Sequence, residues 1–196
     1  VGVPLAFTAL LLVAGITQIQ RWDAQRAQAV VGRDASLIGN NVMLRLRGHL
    51  DALEALRGGF TTVCDAGTRS QHGLEAIAQA AAEAGLRCLL ARVCNDAGSE
   101  DSARRDTLRQ AGEHLARWQA HPLVHGSLAV SVPEAATDDT MRQVAALCQE
   151  AGAVLQVHAN EHLASVERSL VDRGLRPIGH LDRAGALGPQ TLIAHA

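Results

Sequence analysis

Gly152-Ala153-Val154-Leu155-Gln156-Val157-His158-Ala159-Asn160-Glu161-His162 is the stretch whose reading decides the fold. Between Ala153 and Val157 the chain is apolar except for one glutamine. The run is too short for a helix and too continuous for a strand with one wet face, so it reads as a parallel strand covered on both sides. Ala151-Gly152 before it has the form of a helix terminus. The polar residues after His158 open the next helix.

The same unit recurs in both directions. Apolar, β-rich runs at Phe60–Ala66, Leu86–Val93, Leu123–Val132, Ala153–Ala159 and Thr191–Ala196 alternate with helical stretches at about 71–84, 100–119, 138–151 and 162–173. Strands separated by helices must be parallel with crossover connections, as in successive βα units of a barrel or an open sheet. Ala84-Gly85 ends one helix as Ala151-Gly152 ends another, and Thr137-Asp138 begins one with a capping residue. Trp22 to Arg57 reads as an amphipathic helix carrying Leu46, Leu50, Leu53 and Leu56, stopped by Gly58-Gly59. Val3 to Ile19 is almost wholly apolar, but no basic residue precedes it and no cleavage site follows, so a buried segment of the domain is the reading. The expectation is a single domain over 1–196, with 1–21 as its least defined part.

Composition excludes several functions. With 18 Lys+Arg against 20 Asp+Glu the formal net charge is −2, which gives no footprint for nucleic acid or an anionic membrane. Every one of these basic residues is arginine, so no Schiff-base or P-loop lysine is present. Cys64, Cys88, Cys94 and Cys148 lack C-x-x-C spacing and read as buried thiols of a cytoplasmic protein.

In a parallel barrel the chemistry gathers where strands end. The polar residues there are Asp65, Asn95-Asp96, His158 with Glu161, and His195. By alternation Gln156 and His158 share one face, as do Thr191, Ile193 and His195, so two histidines converge on one cavity from neighbouring strands. Two strand-end imidazoles with a carboxylate three residues on suit a divalent metal that activates water and a glutamate that moves its proton. His158-Ala-Asn-Glu161-His162 also fits H-x-x-E-H, but that motif needs both histidines on one helical face and His158 ends a strand. His49, His72, His114 and His121 read as surface residues, His125 as structural, His180 as a helix-start residue, and Arg104-Arg105 as a solvated helix face.

Leu155-Gln156-Val157-His158-Ala159-Asn160-Glu161, Arg176-Pro177-Ile178-Gly179-His180-Leu181, Leu187-Gly188-Pro189 and Thr191-Leu192-Ile193-Ala194-His195-Ala196 together resemble the amidohydrolase superfamily. The likeness is to its chlorohydrolase and aminohydrolase branch of cytosine, guanine and S-adenosylhomocysteine deaminases. Gly58-Gly59-Phe60-Thr61-Thr62-Val63-Cys64-Asp65 is similar to that family's second-strand motif, so the resemblance runs from about Trp22 to Ala196.

The resemblance implies a TIM-like (β/α) barrel of the metal-dependent hydrolase type, incomplete here, with about strands 2 to 6. It implies deamination of a small heterocyclic amine by metal-activated water, with amide cleavage, dechlorination or a non-catalytic barrel remnant as alternatives. His158 would hold the metal, zinc or else iron, Glu161 would shuttle the proton, and His195 would contact the hydrolytic water. Asp65 would be structural. The family's His-x-His pair and its eighth-strand Asp are not in this chain, and Ser131-Val132-Pro133 lacks the histidine that many deaminases carry before that proline. The expectation is therefore an enzyme piece inactive by itself, with a homo-oligomer of the whole protein left open.

Overall fold

Glycine and threonine punctuation along the chain sets where each element stops, and the elements then stack in chain order. The fold, taken from a computed structural model, is described for residues 48–65, 67 and 71–196. Val3–Ile19 and the start of the helix expected from Trp22 lie outside these residues. After α1, described over 48–57, come β1 (Thr62–Asp65), α2 (Gln71–Ala84), β2 (Arg87–Val93), α3 (Asp101–Trp118) and β3 (Val124–Val130). A 3-10 turn at Pro133–Ala135 leads to α4 (Asp138–Ala151), β4 (Leu155–His158), α5 (Leu163–Arg173), α6 (Pro177–Arg183) and β5 (Thr191–Ala194). The strands pair in the order β1-β2-β3-β4-β5, every pair parallel. That order, with a helical crossover at each step, is the wall of a (β/α) barrel.

Each strand is shorter than its apolar run, and the caps explain the difference. Gly152 takes φ 64°, and the Ala153 N–H turns back to the Cys148 carbonyl at 2.8 Å, so the ladder begins only at Leu155. At the other end of α4, the Thr137 hydroxyl accepts from the Thr140 N–H at 3.2 Å.

One face of the sheet packs under the helices. Cys94, Leu128, Val130, Leu155 and Val157 bury against Met141, Val144 and Leu181, while Cys88, Leu90 and Val124 bury against Leu74, Ala78 and Trp118. Each fully buried leucine or valine contributes about 1.5–3 kcal/mol. Gly126 on β3 admits α3: a Cβ there would stand 3.2 Å from the His114 carbonyl oxygen and the Leu115 Cα.

Some surface expectations are corrected. His114 is buried, and its Nε2 lies 2.8 Å from the Leu90 carbonyl. Burial holds its pKa below the ordinary histidine range, so the neutral ring donates to that carbonyl. His180 lies inside α6 rather than at its start, fully buried, with Nε2 2.7 Å from Asp138 Oδ1 at the start of α4. Cys64 is exposed, whereas Cys88, Cys94 and Cys148 are buried as expected. On α1 the buried residue is Ala52; Leu50 and Leu53 face solvent.

Candidate active site

His158 is the last residue of β4, and its register partner on β5 is Ala194, the residue before His195. The two imidazole centroids are 5.6 Å apart with the ring planes tilted by 33°. They meet by a route that simple alternation does not contain. Val157 pairs with Ile193, and both pack into the core under the helices, so Ile193 faces away from the side of His158. An extended His195 would follow Ile193 to that outer side. Instead His195 adopts φ 64°, left-handed, and its ring comes round to His158. For a histidine this backbone costs about 1–2 kcal/mol, and such outliers cluster at functional sites.

A second left-handed residue, Asn160 at φ 61°, turns the chain between His158 and Glu161. Glu161 is exposed, and its carboxylate stands 3.5 Å from His162 Nε2. His162 has extended backbone as the N-cap of α5 and is exposed, so His158 and His162 do not share a helical face. Among the described residues no three His, Cys, Asp or Glu side chains form a group able to hold a metal ion. His158 and His195 are therefore the two imidazoles that the described residues offer together, and Glu161 stands beside them in sequence without joining their contact.

Asp96 has a different part. It is buried, and its carboxylate accepts from the Thr137 N–H at 2.7 Å, the Thr137 hydroxyl at 3.0 Å, the Thr140 hydroxyl at 2.8 Å and Arg104 Nε at 2.7 Å. Burial pushes this carboxyl up, but the Thr137 amide, both hydroxyls and the guanidinium together hold it below the usual carboxylate range. It thus ties the end of β2 and the first turn of α3 to the start of α4. Arg104, expected on a solvated face, is the cation of this clamp. An aspartate directly after a strand, with a capping threonine downstream, was the only sequence signal for it. Asp65, at the end of β1, lies on a different strand from the histidine pair. Asn95 and Ser131 are bonded to each other at the ends of β2 and β3, and sequence reasoning assigned them no role.

The family model described as Amidohydrolase family matches residues 44–196. The chain belongs to the amidohydrolase family. Among curated relatives, the 5'-deoxyadenosine deaminase of Methanopyrus kandleri is 30% identical over 147 residues, which are 74% of this chain and 33% of that protein. The 5-methylthioadenosine/S-adenosylhomocysteine deaminase of Syntrophobacter fumaroxidans is 29% identical over 147 residues, again 74% of this chain and 33% of that protein. An adenosine deaminase from Xanthomonas campestris, solved with bound zinc, superposes at TM-score 0.61 and 25% identity over 71% of this chain and 31% of its own. The zinc-complexed atrazine chlorohydrolase of an Arthrobacter shares the fold at TM-score 0.67 and 21% identity, over 78% of this chain and 37% of that one. This amidohydrolase chain thus spans about a third of the length of the curated relatives it matches, and the five strands among its described residues form part of a TIM-like barrel.

Proposed function

We propose that the protein carrying this amidohydrolase segment deaminates a small heterocyclic amine with metal-activated water. The observation that supports this most is the 5.6 Å approach of the His158 and His195 rings at the ends of neighbouring strands, secured by a strained backbone at His195. Two facing imidazoles suit zinc or iron, both of which accept nitrogen donors. As catalytic sites normally use three protein ligands, His158 would be one member of the set. The ion would supply water acidic enough to ionise near pH 7.

The remaining work belongs to side chains. His158 would be the residue that holds the ion, and His195 would accept a hydrogen bond from the attacking water and orient it. Glu161 takes a proton from that water and delivers it to the exocyclic nitrogen, which leaves as ammonia while the ring carbon keeps the oxygen. No described helix is long and apolar enough to cross a membrane. The buried free thiols Cys88, Cys94 and Cys148 favour a reducing cytoplasm.

The test is a pair of variants in the intact gene product. Glu161→Gln should lower turnover by about a hundredfold or more with metal content unchanged, whereas His158→Ala should lose metal. Equal metal loss in both variants would overturn the assigned roles and make Glu161 a ligand.

A further inference from the structure

A cavity of about 540 Å³ lies at the beginnings of β3 and β4, where α3 and α4 both end, and so at the opposite ends of the strands from His158 and His195. That volume suits one small ligand. Its origin is a mismatch in strand length. β3 begins at Val124, but the turn at Gly152 delays β4, so their pairing starts only at Leu128 with Leu155. The Leu128 N–H donates to the Val154 carbonyl at 3.1 Å. By the two-residue period of a strand, the Gly126 N–H and carbonyl point to that same side, and no β4 residue stands in register with them. Gly126 borders the cavity instead.

The charge of the wall has one sign. Glu150, in the last turn of α4, lines the cavity and makes no ion pair among the described residues, and no arginine is among the lining residues. The last carbonyls of α3 and α4 have no partners within their helices and form the negative ends of two helix dipoles. Together with the Gly126 carbonyl they make a rim rich in acceptors, which Gln119 and His125 complete as the other polar side chains. Leu115, Leu147 and Val154 supply apolar surface.

Gly112 also lines the space, from inside α3. Glycine weakens a helix relative to alanine. A Cβ at this position would meet nothing within 4 Å, so no neighbour among the described residues requires the glycine. What its missing side chain does is keep the cavity open.

We propose that this cavity binds a small organic ammonium ion, whose N–H groups donate to the Glu150 carboxylate and to the carbonyls of the rim while its apolar body lies against Leu115 and Leu147. Glu150 and the two helix ends repel an anion, and a neutral ligand forgoes the charge-assisted hydrogen bonds. The inference does not depend on the deaminase reading.

Benzylammonium is the probe, with benzyl alcohol and benzoate as its neutral and anionic counterparts, each titrated into the intact protein and followed by calorimetry and amide NMR. Benzylammonium should bind with a Kd of about 1 mM or tighter, and should move the Gly112, Gly126 and Gly152 amide signals more than those of His158 and His195. Benzyl alcohol should bind about tenfold more weakly, and benzoate should not bind. Glu150→Gln should weaken benzylammonium by about tenfold and leave benzyl alcohol unchanged. Gly112→Leu improves helix propensity and fills open space, so it should abolish binding of both while melting at or above the wild-type temperature.

No binding of benzylammonium, equal binding of all three probes, or no response to Glu150→Gln would each overturn the proposal. Shifts confined to the His158 and His195 amides would do the same, because the amine would then occupy the histidine pair rather than this cavity.

Discussion

Replacing Asp96 with alanine should destabilise the protein by about 3–5 kcal/mol, the range for removing one partner of a buried, hydrogen-bonded charge pair. The magnitude follows from what is orphaned. The Thr140 hydroxyl is fully buried and accompanies the Thr137 N–H and hydroxyl, so three donors lose their acceptor, while Arg104 keeps a charge only about a quarter exposed. Each buried unsatisfied group alone costs about 1–3 kcal/mol. Asp96→Asn keeps an oxygen for the Thr137 N–H but turns an NH2 toward other donors, so it should fall between wild type and alanine.

Urea unfolding of the three proteins measures the difference, and hydrogen exchange at the Thr137 and Thr140 amides reports whether the start of α4 opens locally. The pH dependence adds a sign. The folded Asp96 pKa is lowered relative to an unfolded carboxyl at about 3.9, so its stabilisation is present above that value and is lost as pH falls through the folded pKa. The wild type should therefore lose stability on acidification in a window below about pH 4 that is shallower in Asp96→Asn. A loss under about 1 kcal/mol for Asp96→Ala, the net worth of one ordinary hydrogen bond, would refute the clamp.

Other outcomes follow from single observations. His195→Asn tolerates a left-handed backbone, so it should melt near wild type yet lose turnover; a large drop in melting temperature would make the ring structural. Gly126→Ala drives a Cβ against α3 backbone and should destabilise by about 1–3 kcal/mol; unfolding at the wild-type urea concentration would show that α3 can shift. Cys64 is exposed while burial pushes the Cys88, Cys94 and Cys148 thiols up to about 12. A thiol reagent near pH 8 followed by peptide mass mapping should thus label Cys64 first, and rapid native labelling of Cys94 would contradict the buried core.

The order of the strands and of α2 to α5 was legible in the sequence because its signals are local, whereas α6 was not among the expected helical stretches. An apolar run, a glycine that can turn left-handed at 152, and a capping threonine at 137 each act within a few residues, and they place β4 and α4 without reference to the rest of the chain. The same reasoning ends a strand at His158. What lay beyond it depends on partners far apart in sequence. His114 meets the Leu90 carbonyl across 24 residues, His180 meets Asp138 across 42 and Thr140 meets Asp96 across 44, so periodicity on one helix could not show that these polar groups are buried and satisfied.

The histidine pair divides the two contributions most clearly. That His158 and His195 close neighbouring strands is written in two apolar runs. That their rings meet is decided by one backbone rotation at His195, which reverses the face alternation assigns and which only the packing of Ile193 under the helices, against Val157, makes necessary.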